Sequence, residues 1–179
     1  QLFDSAFQNS GQVCIAMKRL YVHDSIYDEV VNELAAIAND TVIGNGLEQG
    51  TKLGPLQNKM QYEKVKALIE SARQDGNIVA GGEVPDQSGY FIRPTIVRDV
   101  TEGTRIVDEE QFGPVLPVIR FSDESDAIAR ANNSNYGLGG SVWSSDLDRA
   151  YDVANQMNTG TVWINKHAEL DPGIPFGGS

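Results

Sequence analysis

The sequence has 179 residues and a formal net charge of −11, which argues against nucleic-acid binding because that function requires a basic surface. Its single cysteine excludes an internal disulfide and fits a reducing, cytoplasmic compartment, and two histidines make a structural zinc site unfavourable. No apolar run reaches the roughly 18 residues that span a membrane, whereas the 40% hydrophobic content suffices for the core of one domain.

Hydrophobic periodicity and turn residues predict strands and helices along the whole chain. A glycine cluster at 43–50 indicates turns between the first two helices. In chain order, the predicted elements are a strand at 18–24, helices at 25–40 and 58–76, strands at 77–82, 90–97 and 114–121, a helix at 123–134, a strand at 137–145, a helix at 147–158 and a buried strand at 161–165.

Local signals predict the ends and faces of several elements. Asp24 or Ser25 is the predicted N-cap of the first helix, and Gly76 is the predicted stop of the second. Pro94 cannot donate a ladder hydrogen bond, so it indicates an edge position or a bulge in its strand. The predicted core face of the first helix holds Ile26, Val30, Leu34 and Ile37, and that of the second holds Tyr62, Val65, Leu68, Ile69 and Ala72.

The alternation of strands with crossover-length helices predicts an α/β fold, in which a mostly parallel open sheet is covered by helices. The chain contains no internal repeat and no linker that would divide it. In such sheets, functional residues collect in loops beyond the carboxyl ends of the strands, and we expect the chemistry of this protein there.

The stretch FQNSGQVCIA carries the only thiol of the chain, Cys14. Free cysteines are most often buried as small hydrophobic residues, so a core position is one interpretation. The polar, flexible residues 9–12 favour a second interpretation, in which the thiol is presented to a site. Backbone N–H groups at such a turn can stabilise negative charge that develops on a substrate oxygen.

The stretch DEEQFGPVLPV, residues 108–118, places three carboxylates before an aromatic residue, a Gly-Pro turn and a strand. A solvated acidic loop is one interpretation. The other is a binding site, in which a carboxylate accepts hydrogen bonds from the hydroxyls of a sugar while Phe112 forms an apolar wall.

The stretch PGIPFGGS, residues 172–179, forms a predicted tight loop that holds Phe176, either as a buried anchor or toward a ligand. His23 is predicted to be exposed, whereas His167 lies in the loop after the last strand. Cys14 and His167 could therefore form the dyad of a thiol hydrolase, although no other sequence feature points to that activity.

Taken together, these stretches resemble blocks of the aldehyde dehydrogenase superfamily, in the order and at about the spacing of that family. Five matches in order are far more specific than one alone, and they span nearly the whole chain. They are FQNSGQVCIAMKRLYV, which resembles the cysteine motif, EEQFGPVLPV, which resembles the cofactor loop, and the later blocks ANNSNYGLGGSVWSSDLDRA, GTVWIN and PFGGS.

The resemblance implies NAD(P)+-dependent oxidation of an aldehyde to a carboxylic acid, with Cys14 as the nucleophile that forms a thiohemiacetal and then a thioester. Glu110 matches the residue that binds the nicotinamide ribose, and Phe112 matches the one that packs near the nicotinamide. Gln61 and Lys64 fall where the family contacts the ribose region of the cofactor, NAD or NADP, but this match is less specific because both also fit a surface helix.

The resemblance also implies an apolar substrate pocket, which favours a hydrophobic or unbranched aldehyde. Leu170 stands where many relatives carry a tunnel aromatic, so a tunnel that is wider or less suited to flat substrates is expected. Glu169 and His167 lie nearby and leave room for a polar end of the substrate. The pocket residues that the resemblance identifies are Val13, Ile15, Leu170 and Phe176.

Compared with the family pattern, residues 1–179 match most of the cysteine-bearing catalytic domain. The family's general-base glutamate, oxyanion asparagine and cofactor-binding domain precede the cysteine motif, and an oligomerisation strand follows the matched region. We therefore expect a fragment that is inactive alone and prone to self-association. The intact protein is expected to be a cytoplasmic homo-oligomer, a dimer or tetramer, that acts on a small aldehyde.

Three alternatives remain open at this stage. The first is an acylating aldehyde dehydrogenase, which passes the thioester to coenzyme A rather than to water. The second is a non-catalytic scaffold member of the family, against which the retention of Cys14 argues. The third is the thiol hydrolase with Cys14 and His167, which would cleave esters without a cofactor.

Overall fold

The computed structural model describes residues 1–179 and divides them into two compact units. The first unit comprises residues 2–121, and the second comprises residues 122–179 together with Gln1. The boundary falls directly between a strand and the turn before a helix, without a linker, which explains why composition gave no sign of it. The strands accordingly form two sheets rather than one open sheet.

The first unit contains four strands and four helices, with a 3₁₀ turn before β1 at Gln8–Gly11 and another before α2 at Asp24–Ile26. Two of its helices, α1 and α4, were not predicted, because segments this short show no helical periodicity. In chain order, the elements are α1 Leu2–Phe7, β1 Leu20–His23, α2 Tyr27–Asp40, α3 Lys59–Asp75, β2 Asn77–Ala80, β3 Thr95–Arg98, α4 Arg105–Asp108 and β4 Val115–Phe121.

The four strands form a sheet in the order β1-β4-β3-β2. β4 runs parallel to both of its neighbours, with Val118 opposite Leu20 of β1 and Val115 opposite Thr95 of β3. Only β2 is antiparallel, at the edge beside β3. The predicted mostly parallel α/β architecture is therefore confirmed for this unit.

β4 is buried along most of its length, because helices cover both faces of the sheet. Its side chains alternate between two hydrophobic clusters, with Leu116 and Val118 in one and Val115 and Ile119 in the other. The core face of α2 packs in the first cluster, and that of α3 packs in the second. The core of α3 contains the predicted Val65, Leu68, Ile69 and Ala72, whereas Tyr62 is only partly buried.

The core face of α2 lies one residue later than predicted. The buried residues are Tyr27, Val31, Leu34 and Ala38, whereas Ile26 is 49% exposed and Ile37 is 44% exposed. Tyr27 sets this phase, because its ring is fully buried and its hydroxyl donates a hydrogen bond to the carbonyl oxygen of Val118 at 2.9 Å. Helical spacing alone could not separate the two faces, since both carry apolar residues.

Two predicted element ends are wrong. Neither Asp24 nor Ser25 caps α2, because both belong to the 3₁₀ turn, where the side chain of the exposed His23 accepts the amide hydrogen of Ser25. Pro94 does not mark an edge strand, because β3 begins after it at Thr95 and lies inside the sheet, and the irregularity in the pairing of β3 falls on β2, between Ile78 and Ala80. The missing amide of Pro94 therefore costs no ladder hydrogen bond.

The second unit contains a two-stranded parallel sheet and two helices, with Gly139 opposite Thr161. Asp123 and Asp146 cap the two helices, each accepting a backbone amide of the first turn. The last strand was predicted to be buried, but only Trp163 of that strand is buried and its other residues are partly buried. Its elements are α5 Glu124–Asn132, β5 Gly139–Val142, α6 Leu147–Ala154 and β6 Thr161–Ile164. No helix in the chain is long and apolar enough to cross a bilayer.

Candidate active site

The cysteine loop, residues 8–16, begins with a run of left-handed backbone. Asn9, Ser10 and Gly11 have φ angles of 51°, 56° and 72°. Such a run is costly for residues with a Cβ atom, so surrounding contacts must stabilise it. The hydroxyl of Ser10 donates to the carbonyl oxygen of Gly54 at 2.7 Å, and the side-chain oxygen of Gln12 accepts the amide of Gln57 at 2.9 Å.

Cys14 lies in the turn that follows, which is closed by a hydrogen bond from the amide of Ala16 to the carbonyl oxygen of Val13 at 3.0 Å. The thiol side chain is exposed, so the interpretation of Cys14 as a buried core residue is wrong. Val13 and Ile15 flank it and are partly buried. The left-handed run thus leads directly into the turn that carries the exposed thiol.

The acid loop, residues 109–114, separates α4 from β4 and contains Glu110, which is exposed, and Phe112, which is half-buried. Phe112 has a φ angle of 46°, a left-handed conformation that needs support. The side-chain nitrogen of Gln61 supplies it by donating to the carbonyl oxygens of Gln111 at 2.8 Å and Phe112 at 3.0 Å. The ammonium of Lys64 donates to the carbonyl oxygen of Glu110 at 2.8 Å.

Gln61 and Lys64 thus lie beside Glu110 and Phe112, and all four belong to one region of the first unit. Their side chains are engaged with the backbone of the acid loop. They hold that loop in shape, whatever further contacts they make with a ligand.

The three neighbouring carboxylates have different surroundings, which the sequence could not distinguish. Asp108 accepts the amide of Gly103 at 2.9 Å. Glu109 accepts the guanidinium of Arg105 at 2.6 Å, and this hydrogen bond holds the pKa of the Glu109 carboxyl below its usual value. Glu110 is the carboxylate of the three whose backbone is fixed by Lys64 from α3, and its side chain is exposed.

The cysteine loop and the acid loop meet at the same edge of the sheet. Each loop precedes its strand, β1 or β4, and those strands are parallel neighbours. The loops therefore lie beyond the amino ends of the strands, and the expectation that the chemistry lies beyond the carboxyl ends is wrong for these residues. A Cβ atom on Gly11, at the end of the left-handed run, would lie only 2.2 Å from the carbonyl oxygen of Gly113, so the two backbones are in direct contact.

Two polar residues that the sequence analysis missed bind the loops together. The ammonium of Lys18 donates to the carbonyl oxygens of Gly11 at 2.6 Å and Gly113 at 3.2 Å. The side chain of Gln111 is fully buried and donates to the carbonyl oxygens of Ile106 and, at 3.4 Å, Lys18. The only sequence signal for Lys18 and Gln111 was that each is a polar residue with apolar neighbours shortly before a strand.

Burial lowers the pKa of Lys18 to about 8, and the nearby Glu110 carboxylate opposes that shift. The direction follows from desolvation, which disfavours the charged form of a lysine.

The predicted pocket residues Leu170 and Phe176 belong to the second unit, where they are 57% and 41% exposed. His167, in the same unit, lies 3.1 Å from the hydroxyl of Ser141 through Nδ1 and packs its ring edge-on against Trp163. The dyad of His167 with Cys14 stays a hypothesis. No group of three or more His, Cys, Asp or Glu side chains is arranged to hold a metal ion.

The fold and the joined loops define an α/β domain that presents one exposed thiol beside a carboxylate-bearing loop at one sheet edge. The sequence profile of the aldehyde dehydrogenase family matches residues 1–179. The chain belongs to the aldehyde dehydrogenase family.

Similar proteins agree with this assignment in sequence and in structure. The chain is 44% identical over 175 residues to phenylacetaldehyde dehydrogenase of Pseudomonas fluorescens, covering 96% of the chain and 35% of that protein. It is 46% identical over 171 residues to the NADP(+) succinate-semialdehyde dehydrogenase of Deinococcus radiodurans, covering 95% of the chain and 36% of that protein. The NAD+ complex of aldehyde dehydrogenase from Bacillus cereus superposes with a TM-score of 0.96 at 41% identity, covering 99% of the chain and 36% of that structure. The chain thus spans about a third of the length of the relatives it matches.

Proposed function

We propose that the whole protein carrying this chain oxidises an aldehyde to a carboxylic acid with NAD+ or NADP+. Membership of the family and the dehydrogenase names of its relatives support this function. The observation that carries it is the exposed Cys14 on a loop joined to the loop of Glu110 and Phe112. A site of this kind needs a nucleophile and a cofactor-binding loop within one region.

Cys14 acts in this proposal as the covalent nucleophile. Its thiolate sulfur attacks the aldehyde carbon, so that a C–S bond forms and the carbonyl electron pair moves to oxygen as an alkoxide. The backbone N–H of Cys14 donates to that alkoxide. After oxidation the carbon is held as a thioester, and water attacks it to release the carboxylic acid and restore the thiolate.

The acid loop provides residues suited to a nicotinamide dinucleotide. The Glu110 carboxylate can accept hydrogen bonds from two neighbouring ribose hydroxyls, and Phe112 offers an apolar face beside it. Gln61 and Lys64 keep this loop in place from α3. When bound, the dinucleotide supplies the acceptor for the hydride that leaves the thiohemiacetal carbon.

The substrate pocket in this proposal is lined by apolar side chains, which favours an uncharged aldehyde end near the thiol. Partly buried Val13 and Ile15 stand on either side of Cys14.

We also propose that the whole protein is a cytoplasmic homo-oligomer, a dimer or a tetramer. The single cysteine supports a reducing compartment. Large exposed apolar side chains in the second unit support burial against further protein, among them Tyr136, Leu147, Tyr151 and Ile174.

The first test is the formation of NADH or NADPH, followed at 340 nm, when the whole protein is mixed with a panel of aliphatic and aromatic aldehydes. We expect cofactor-dependent turnover from the whole protein and none from residues 1–179 alone, because family members use a base and a cofactor domain outside this region. Acyl-CoA formed after addition of coenzyme A would instead identify the acylating reaction. Ester cleavage that needs His167 but no cofactor would identify the hydrolase, and absence of any turnover would contradict the proposal.

Replacement of Glu110 by glutamine in the whole protein should raise the KM for NAD(P)+ about tenfold or more, because a charge-assisted hydrogen bond is worth about 1.5–3 kcal/mol. Glu109→Gln is the matched control, since it removes a carboxylate whose partner is Arg105 on the protein surface. Such exposed ion pairs contribute little, so its KM should be unchanged. Steady-state kinetics with varied cofactor measures both, and equal effects of the two substitutions would contradict the role of Glu110.

A further inference from the structure

Lys18 occupies the junction between the cysteine loop and the acid loop. Its ammonium donates to Gly11 in one loop at 2.6 Å and to Gly113 in the other at 3.2 Å. The backbone of Lys18 is also an acceptor, for the buried side chain of Gln111 at 3.4 Å. One residue therefore binds both loops, through its side chain and its main chain.

Other hydrogen bonds support each loop from its own side. Gln12 donates to the carbonyl oxygen of Asn9 at 3.1 Å within the cysteine loop. Gln61 donates from α3 to the carbonyl oxygen of Gln111 at 2.8 Å in the acid loop. These bonds set the shape of the loops, whereas the bonds of Lys18 run from one loop to the other.

We propose that Lys18 is a positioning residue that fixes the turn of Cys14 relative to the loop of Glu110 and Phe112. The inference rests on the proposed function, in which the carbon bound to Cys14 must meet a cofactor held by the acid loop. Misplacement of reacting groups by about 1 Å can cost about 10²-fold in rate. A charged side chain between the two loops therefore affects catalysis without touching the substrate.

The energetics of the position agree with a functional role. A partly buried ammonium is costly, and burial lowers its pKa to about 8. A methionine of similar length would fill the same space without that desolvation. What the methionine would lack is the pair of charge-assisted hydrogen bonds, which are about twice as strong as neutral ones.

Kinetics of Lys18→Met in the whole protein test the proposal. We expect kcat to fall about 10²-fold while the cofactor KM changes less than about threefold, since Glu110 and its support from α3 are intact. Lys18→Arg keeps a cation with several donors and should recover at least about tenfold of the lost kcat. The matched control is Lys66→Met, which removes a half-exposed lysine that pairs with Glu63 and lies over the ring of Tyr62, and it should leave both constants unchanged.

Hydrogen exchange followed by mass spectrometry provides a readout that needs no aldehyde. In Lys18→Met, amides of residues 12–16 and 110–113 should both exchange about tenfold faster or more, whereas Lys64→Met should affect only the acid loop. Unchanged exchange and unchanged kcat in Lys18→Met would overturn the proposal, as would a loss that Lys18→Arg does not reduce at all. If the whole protein oxidised no aldehyde, the proposed function would fail while the exchange pattern would still decide whether Lys18 couples the loops.

Discussion

Replacement of Cys14 by alanine in the whole protein should lower kcat/KM for aldehyde oxidation by about 10⁴-fold or more, because loss of a covalent nucleophile removes the reaction path itself. The substitution removes one sulfur atom, so it should change the free energy of unfolding by no more than about 1 kcal/mol. The measurement is NAD(P)H formation at saturating cofactor, with thermal unfolding recorded on the same preparation.

Cys14→Ser provides the second arm of this experiment. A hydroxyl has nearly the shape of the thiol but is a much weaker nucleophile at neutral pH, so the serine variant should be almost as inactive as the alanine variant. Both variants should retain cofactor binding, since Glu110 and Phe112 lie on the other loop. Substantial aldehyde oxidation by the alanine variant would show that another residue is the nucleophile.

The sequence offered Cys14 and Glu110 as candidate site residues through their resemblance to family motifs, but it did not show their relation in space. The motifs around Cys14 and Glu110 could be recognised because each is a short stretch with its own polar and turn residues. That they meet at one edge depends on the parallel pairing of β1 with β4, which no local pattern encodes. For the same reason, the functional residues were expected beyond the carboxyl ends of the strands, whereas Cys14 and Glu110 lie beyond the amino ends.

Lys18 and the buried face of α2 were missed because both depend on contacts with residues far along the chain. Lys18 donates a hydrogen bond to the carbonyl oxygen of Gly113, and a lysine before a strand has no sequence feature that reveals a partner so far along the chain. The phase of α2 was missed because Tyr27 is fixed by a hydrogen bond to the distant Val118. Hydrophobic periodicity shows which faces of a helix can be buried. In α2, a polar contact with a distant strand determines which of those faces is buried.

Replacement of Gly11 by alanine should destabilise the chain by about 3 kcal/mol, through two separate effects. The φ angle of 72° costs an alanine about 1 kcal/mol. The added Cβ atom would lie 2.2 Å from the carbonyl oxygen of Gly113 and 2.7 Å from the ammonium of Lys18, so the two loops must separate. Separation lengthens the hydrogen bonds of Lys18 and displaces Cys14 from Glu110.

Gly50→Ala separates the two effects. Gly50 has a φ angle of 92°, but a Cβ atom there would meet nothing within 4 Å. Its substitution should therefore cost only the backbone term of about 1 kcal/mol and leave the kinetics of the whole protein unchanged. Thermal or urea unfolding measures the difference between the variants, and NAD(P)H formation should fall only for Gly11→Ala. Equal losses of stability with equal retention of activity would show that contact between the loops is not required, because the backbone strain would then account for everything observed at Gly11.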